Sequence, residues 1–153
     1  MKIDELDARI LNELVGDGRV RWSALAEKFS VSSPAIADRV RRLEAAGIIT
    51  GYTAQLSAEA LGVDLTAFVS VTLEHPKFRQ GFIEYVQNSV CVQSCHHVVG
   101  EGDFLLKVCC RSTSHLEQVL THGIKSIPGI LQTRTTIALS TVKSSAILPV
   151  EVM

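Results

Sequence analysis

The chain has 153 residues, of which 46% are hydrophobic and 20% charged, and its formal net charge at pH 7 is -1. This composition is too apolar for a disordered chain, and the length suits one domain or two small ones. Because the net charge is so small, bulk electrostatics cannot hold the chain on nucleic acid, and any contact with DNA needs a local cluster of cations. No apolar run approaches the ~18 residues that a membrane span needs, and the acidic start is unlike a secretory signal. We therefore expect a soluble, cytoplasmic protein with no membrane partner.

The first third of the chain has the apolar spacing of three helices. Apolar residues recur with a helical period over residues 4–16, 23–29 and 33–46. Ser32 stands where the third helix should begin and is its expected N-cap, and Pro34 fits the first turn. Since only a short polar turn joins the second and third helices, the pattern predicts a helix-turn-helix.

The third helix is the expected DNA-reading element, since it would lie in the major groove. Arg39 and Arg42 stand three residues apart, so we expect both guanidinium groups to project from one exposed side, where arginine reads guanine or clamps phosphate. The serines at the helix start suit a phosphate, because a helix N-terminus attracts anions. The residues predicted to contact DNA are Ser32, Ser33, Ala35, Asp38, Arg39 and Arg42.

The alternative for this helix is a solvated charged face, on which its arginines lie beside Asp38 and Glu44 without any ligand. The short helix before it, the tight turn and the serine cap favour the DNA-reading interpretation.

From Leu65 onward the pattern changes to strand, helix, strand, strand, helix, strand. The strands are predicted over residues 65–73, 90–99, 103–111 and 130–142, one helix begins at Pro76, and the other covers 114–125. This order is that of the split βαβ, ferredoxin-like sandwich, so the fold class is α+β. We divide the chain into a helix-turn-helix domain (1–50), a connector strand and hinge (51–63), and a sandwich domain (64–153).

Five motifs together resemble the Lrp/AsnC family, the leucine-responsive or feast/famine regulators. The motifs are Asp7-x-x-Ile10-Leu11-x-x-Leu14, Leu25-Ala26, Arg39-Val40-x-Arg42-Leu43-Glu44-x-x-Gly47-Ile48-Ile49-x-Gly51-Tyr52, Gly100-x-x-Asp103-Phe104-Leu105-Leu106 and Thr133-Arg134-Thr135. The resemblance implies a transcriptional regulator with an N-terminal winged helix-turn-helix and a C-terminal domain that senses a ligand and dimerises. It implies no enzyme activity and no cofactor. Its expected partners are double-stranded DNA, a small effector and further copies of itself, as a homodimer that assembles to an octamer.

The loop Gly100-Glu101-Gly102-Asp103 is the most informative stretch of the second half. Its glycines leave backbone N–H groups uncovered as a cradle for a carboxylate, and its acids offer partners to an ammonium group. A site that holds both charges matches a free amino acid. The residues alone fit an ordinary hairpin turn with solvated acids equally well.

The resemblance favours the site, because the matching loop in the family lines the effector pocket between dimers. Residues that resemble the rest of that pocket lie before the loop and on the last strand, where a threonine at 136 leaves room for the effector side chain. The full predicted set is His97, Val99, Gly100, Glu101, Gly102, Asp103, Thr135, Thr136 and Ile137.

Two observations favour a homodimer. A single helix-turn-helix with two arginines makes few phosphate contacts, and two copies on a palindromic site double that number. One face of the strand at 65–73 places Phe68 among threonines and serine, and a second copy would cover it.

Two other functions compete with this interpretation. Cys95 with His97, or a pair across strands, could serve a redox- or metal-responsive regulator, although cysteine in a strand is more often a small buried thiol; we predict no metal site. Sirohaem decarboxylases share the two-part architecture, but they carry a His-Asn-Tyr-Glu-Arg type of motif, and here His96-His97 is followed by Val98-Val99.

Overall fold

The computed structural model describes residues 2–145 and Val150. The chain divides into two compact units, one made of the residues up to Gln55 with the described tail beyond Lys143, the other of Leu56–Lys143. Of the domain ranges given above, positions 1, 146–149 and 151–153 lie outside the described residues. No helix in the described part is long and apolar enough to cross a lipid bilayer.

The first unit contains the three predicted helices. They are α1 (Glu5–Gly16), α2 (Trp22–Phe29) and α3 (Ser33–Ala45). Asp4 caps α1 in a reciprocal capping box with Asp7, and the Ser32 hydroxyl accepts the Ala35 N–H at the start of α3, as predicted. Ser30, at φ 57°, ends α2 in the left-handed conformation and leaves only a tight turn before α3.

The three helices close on one apolar cluster. Ile10, Leu14, Leu25, Ala26, Ile36 and Val40 form it. Because the buried residues of α3 lie four and then three apart, they share one face, and the other side is left for solvent or a ligand.

The wing that the resemblance implied does not form in the described part of this single chain. Between α3 and Leu65 there is no strand, because the extended connector has no second strand beside it to share a hydrogen-bonded ladder. The connector is held to α3 through Tyr52, whose hydroxyl donates to Glu44 Oε1 at 2.9 Å. Burial, followed by the hydrogen bond to Glu44, raises the pKa of Tyr52 to about 12.

The second unit has the predicted order of elements. Its bounds are β1 (Leu65–Leu73), a 3₁₀ turn (Pro76–Phe78), α4 (Arg79–Asn88), β2 (Val92–His97), β3 (Phe104–Cys110), α5 (Thr113–Gln118) and β4 (Ile130–Ile137). All neighbouring strands are antiparallel and their order is β2-β3-β1-β4. This is the split βαβ arrangement, so the ferredoxin-like prediction is confirmed.

Two predicted elements are longer in the sequence pattern than in the structure. The helix expected over 114–125 ends as α5 at Gln118 and continues as a π turn and a 3₁₀ turn, where a β-carbon at Gly123 would collide with the Tyr85 hydroxyl. The last strand ends at Ile137 rather than near 142, although the Ala138 N–H still donates to the Thr66 carbonyl of β1 at 2.9 Å.

The two faces of the sheet differ sharply. One face carries Ala67, Val69 and Val71, all 0% exposed, against α4 and α5. We call the other face the open sheet face. It is formed by Thr66, Phe68, Ser70, Thr72, Leu105, Lys107, Cys109, Gln132, Arg134 and Thr136. Phe68 and Leu105 on it remain 41% and 37% exposed.

Candidate DNA-binding and effector sites

Arg39 joins α3 to α1. Its Nη1 donates to Asp7 Oδ1 at 2.7 Å and to Asp4 Oδ2 at 2.6 Å. The Asp7 side chain is only 2% exposed, whereas the Arg39 side chain keeps 25% of its surface. A carboxylate so deeply buried needs a cationic partner, because an unpaired buried charge costs several kcal/mol.

Arg39 and its carboxylate partners stabilise each other's charged forms. The hydrogen bond from Arg39 is the largest cause that lowers the pKa of Asp4, followed by the Asp7 backbone N–H. In turn Asp4 and then Asp7 raise the pKa of Arg39. The prediction that Arg39 and Arg42 both project freely from one exposed side is therefore wrong for Arg39. A spacing of three places them as neighbours but cannot reveal that α1 supplies two carboxylates at one of them.

Arg42 is the arginine of α3 whose side chain has no ion-pair partner in the described part of the chain. Its side chain is exposed and forms no hydrogen bond or ion pair with any described residue. Arg41 instead lies 3.7 Å from Asp38, with both side chains exposed. Of the other predicted DNA contacts, Ser33 and Ala35 are half-buried at the start of α3, and the Ser32 oxygen is occupied as the helix cap.

Residues 2–55 carry eight basic and eight acidic side chains, so the first unit has no net charge to attract DNA. Its affinity for DNA must therefore come from cationic side chains that have no ion-pair partner within the unit. Sequence reasoning missed Arg21, which is exposed at the residue before α2 and whose side chain caps nothing. The available signal was a basic residue directly before a helix N-terminus, where a phosphate is favoured.

The Gly100–Asp103 loop is docked against the end of β1. Asp103 Oδ2 accepts the Leu73 N–H at 2.7 Å, and the Asp103 N–H donates to the Val71 carbonyl at 2.9 Å. Gly102 lies so close to β1 that a β-carbon there would collide with the Ser70 hydroxyl. The Asp103 end of the loop is thus packed on the strand beside it, whereas Gly100 and Glu101 are exposed.

Two of the predicted effector residues, His97 and Asp103, line one small cavity. Its volume is about 140 Å³, and Arg79, Phe104, Leu73 and Pro76 complete its wall. Arg79 Nη1 is 3.4 Å from His97 Nε2, and its guanidinium carbon lies 5.4 Å from the centroid of the Phe104 ring. Arg79 was not predicted as a site residue, although it is the cation that a carboxylate would meet there.

The rest of the predicted effector set is not brought into that cavity within one chain. Glu101 forms an ion pair with Arg134, and Val99 and Gly100 are exposed. On β4, Thr135 and Ile137 share the helix-facing side with Val69 and Ala67, whereas Thr136 lies on the open sheet face opposite Phe68. Consecutive strand residues alternate between faces, so the run 135–137 cannot line a single surface.

The Cys95 and His97 pair has no further ligand beside it. Within residues 2–145 and Val150 no three His, Cys, Asp or Glu side chains come close enough to hold a metal ion. Cys95 packs against the apolar core, and this burial raises the pKa of its thiol.

Each unit matches a described family over most of its length. Residues 3–44 match the AsnC-type helix-turn-helix domain and residues 66–148 match the Lrp/AsnC ligand binding domain. The leucine-responsive regulatory protein of Escherichia coli K12 is 37% identical over 145 residues, which cover 94% of this chain and 88% of that protein.

Solved structures agree with this assignment. The structure of Escherichia coli AsnC matches with a TM-score of 0.91 at 33% identity, covering 97% of this chain and all 100% of the other. A Neisseria meningitidis transcriptional regulator in complex with L-Met matches with a TM-score of 0.91 at 28% identity, covering 95% of this chain and 96% of that one. A feast or famine regulatory protein of Mycobacterium tuberculosis, complexed with L-methionine, matches with a TM-score of 0.86 at 37% identity, covering 95% and 98%.

The chain thus combines a helix-turn-helix, in which the Arg42 side chain is unpaired among the described residues, with a separate ligand-binding fold. This combination defines an effector-responsive, DNA-binding regulator of transcription. The chain belongs to the Lrp/AsnC family of these regulators.

Replacing Arg39 by methionine tests the tie between α1 and α3. We expect the free energy of unfolding of the first unit to fall by about 3 kcal/mol, because Asp7 is left buried without its partner. Trp22 is the only tryptophan of the chain and lies in this unit, so its fluorescence during urea unfolding reports the change. Arg41→Met is the matched control and should cost no more than about 0.5 kcal/mol, since its ion pair is exposed. Equal losses in the two variants would contradict the tie.

Proposed function

We propose that the chain binds specific double-stranded DNA through α3 and that a free amino acid, held at the Gly100–Asp103 loop, changes its DNA binding or assembly. The observation that carries this proposal is which charged side chains are paired within the chain and which remain without an internal partner. In the first unit the Arg39 side chain is paired with Asp7, whereas the Arg42 side chain has no ion-pair partner among the described residues. In the second unit Asp103 and Arg79 bring opposite charges to one cavity. The proposal assigns no catalytic residue and no cofactor.

In the first unit, Arg42 is the main base or phosphate contact of α3, and Ser32, Ser33, Ala35 and Asp38 border it. Arg21 adds a phosphate contact from the start of α2. Arg39 acts by fixing the angle at which α3 meets the groove rather than by reaching the DNA itself. Its two bonds of 2.6 and 2.7 Å to carboxylates support this assignment, because a guanidinium so engaged would have to give them up to bind phosphate.

In the second unit, the charges of the cavity match the two charges of an amino acid. Asp103 Oδ2 is occupied by the Leu73 N–H, but Oδ1 has no hydrogen bond within the described residues and remains for an ammonium group. Arg79 offers the planar donor that a carboxylate prefers. A volume of about 140 Å³ equals the share of roughly five water molecules, so the charged end of an amino acid fits and its side chain extends beyond the cavity. Relatives solved with L-methionine support this ligand class.

The effector acts through linkage in this proposal. A ligand shifts an equilibrium between assembled or DNA-bound states only by its different affinity for them. Glu101, Thr135, Thr136 and Ile137, which stay apart from the cavity in one chain, belong to the site only if a neighbouring copy completes it, as the predicted pocket between dimers requires.

We further propose that two chains pair through the open sheet face as a homodimer, which assembles further toward an octamer. Phe68 and Leu105 are the apolar residues at the centre of that face. They are surrounded by hydroxyl groups and by two cationic side chains, those of Thr66, Ser70, Thr72, Thr136, Lys107 and Arg134. An apolar centre within a polar rim is the usual composition of a protein interface.

The DNA contact is tested by Arg42→Ala, with Arg41→Ala as the matched control. On a fragment from upstream of its own gene, we expect the dissociation constant to rise about tenfold or more for Arg42→Ala, because an arginine contact contributes about 1–3 kcal/mol. Arg41→Ala should change it by less than about threefold, since Arg41 already faces Asp38. Fluorescence anisotropy measures both. A weak effect at Arg42 together with a strong one at Arg41 would refute the assignment.

The effector site is tested by Asp103→Asn in a thermal-shift screen against the twenty amino acids. The asparagine oxygen can still accept the Leu73 N–H, but the charge for an ammonium group is lost. We expect amino acids that raise the melting temperature of the unmodified chain to lose that effect, while the melting temperature without ligand stays nearly the same. Glu74→Gln, an exposed acid outside the cavity, is the control and should respond normally. An unchanged response of Asp103→Asn would exclude this site.

The dimer interface is tested by Phe68→Lys. A charge at the centre of the proposed contact should favour the single chain, because it would be buried without a partner. Val90→Lys changes an equally apolar but 89% exposed residue away from the open sheet face and should leave the assembly intact. Sedimentation equilibrium gives the mass of each. If Phe68→Lys sediments like the unmodified chain, pairing does not use this face.

A further inference from the structure

A second group of chemistry-bearing side chains lies at the far end of the β2–β3 pair, away from the Gly100–Asp103 loop. Cys91, just before β2, places its Sγ 3.7 Å from Nε2 of His115 in the first turn of α5. Cys91 and His115 are both half-buried, so a small solute can reach them. Neither residue has a role in the DNA contact, the effector cavity or the open sheet face.

The hydrogen bonds of His115 fix which ring nitrogen carries the proton. The Arg111 backbone N–H donates to His115 Nδ1 at 3.3 Å, so Nδ1 must present its lone pair. The neutral ring then carries its hydrogen on Nε2, which is the atom that faces the Cys91 sulfur. A fixed N–H donor aimed at a sulfur stabilises the negative charge that the sulfur carries when it attacks an electrophile.

Cys110 supplies a second thiol at the same place. It is 0% exposed, and both Cys110 and Cys91 pack against one apolar cluster. Burial, then the nearby Cys91 and Cys109, and then a hydrogen bond with the Cys91 thiol raise the pKa of Cys110 to about 11. Cys110 therefore stays protonated in neutral solution while it touches the more accessible Cys91.

The other two cysteines point elsewhere. The Cys109 sulfur lies 3.8 Å from Thr66 Oγ1 on the open sheet face, so its side chain is on the opposite side of β3 from Cys110. Cys95 stands further along β2, opposite Leu106. The arrangement thus distinguishes one pair among the four thiols.

We propose that Cys91 and Cys110 form a peroxide-oxidisable thiol pair, in which Cys91 attacks, His115 provides the N–H donor and Cys110 resolves the product as a disulfide. In the first step the Cys91 sulfur bonds to one oxygen of hydrogen peroxide, the O–O bond breaks, and the leaving hydroxide takes the thiol proton to become water. Cys91 is then a sulfenic acid. In the second step the Cys110 sulfur bonds to the Cys91 sulfur, the S–O bond breaks, and the departing hydroxide takes the Cys110 proton as a second water.

Over both steps the two sulfurs lose two electrons and the peroxide gains them. The disulfide ties the start of β2 to the end of β3 and removes the contact of Cys91 with α5. Reduction by a thiol such as glutathione restores the original pair. This gives the second unit a reversible response to peroxide that is separate from the amino-acid cavity.

The full-length chain treated with hydrogen peroxide tests the proposal directly. After alkylation of the remaining thiols, we expect an intact mass lower by two hydrogens before the label is counted, and two labels instead of four. Peptide mapping should find the disulfide between Cys91 and Cys110. A disulfide that uses Cys95 or Cys109, or four free thiols at a peroxide concentration that oxidises free cysteine, would overturn the proposal.

Variants separate the three roles. Cys110→Ser should stop at a Cys91 sulfenic acid that dimedone traps, and Cys110→Ala gives the same test if the serine variant does not fold. Cys91→Ser should form no disulfide, whereas Cys95→Ser and Cys109→Ser should oxidise like the unmodified chain. His115→Ala should slow the oxidation about tenfold, since a hydrogen bond to a charged group contributes about 1.5 kcal/mol or more. An unchanged rate in His115→Ala would remove His115 from the mechanism, and dimedone labelling at another cysteine would refute the assignment of Cys91.

Discussion

The tie between Asp7 and Arg39 is the interaction on which the DNA-reading unit depends. Asp7 is buried in a small helical core, and its charge can stay there only because a guanidinium from α3 reaches it at 2.7 Å. The same contact holds the reading helix against α1 and turns one arginine inward. The first unit has equal numbers of acidic and basic side chains. Internal ion pairs such as this one therefore determine which cationic side chains are available to contact phosphates and bases.

In the second unit, too, an internal hydrogen bond occupies part of a charged side chain, here that of Asp103 against β1. Asp103 accepts the Leu73 N–H with one oxygen, and we propose that its other oxygen binds the effector. Gly102 allows the loop to lie directly on β1. These contacts place Gly102 and Asp103 against β1 without a ligand, and such preorganisation would lower the entropy cost of binding the proposed effector. Arg79, brought from α4, adds the opposite charge at the same cavity. The thiol pair of Cys91 and Cys110 lies at the other end of the same strands, where it can respond to a different solute.

Much of this fold follows from the sequence because its signals are local. Alternation over 65–73 predicts β1 with its bounds, and Ser32 marks the start of α3. The partner of Arg39 could not be predicted, because it depends on how α1 crosses α3 some thirty residues away. For the same reason Arg79 and the contact of Cys91 with His115 were not predicted. The grouping of Thr135 with Thr136 instead overlooked a local rule, because consecutive strand residues face opposite sides of the sheet. The close approach of Tyr85 to Gly123, beyond the end of α5, also depends on tertiary packing that no local pattern shows.

The central claim is that Arg42 faces DNA while Arg39 faces Asp7, and the salt dependence of DNA affinity tests it most directly. Each arginine that contacts a phosphate adds about one unit to the slope of log affinity against log salt concentration. Under conditions in which all variants are folded, the account predicts a smaller slope for Arg42→Met and an unchanged slope for Arg39→Met, even if the latter binds more weakly. A slope that falls for Arg39→Met and stays constant for Arg42→Met would contradict it.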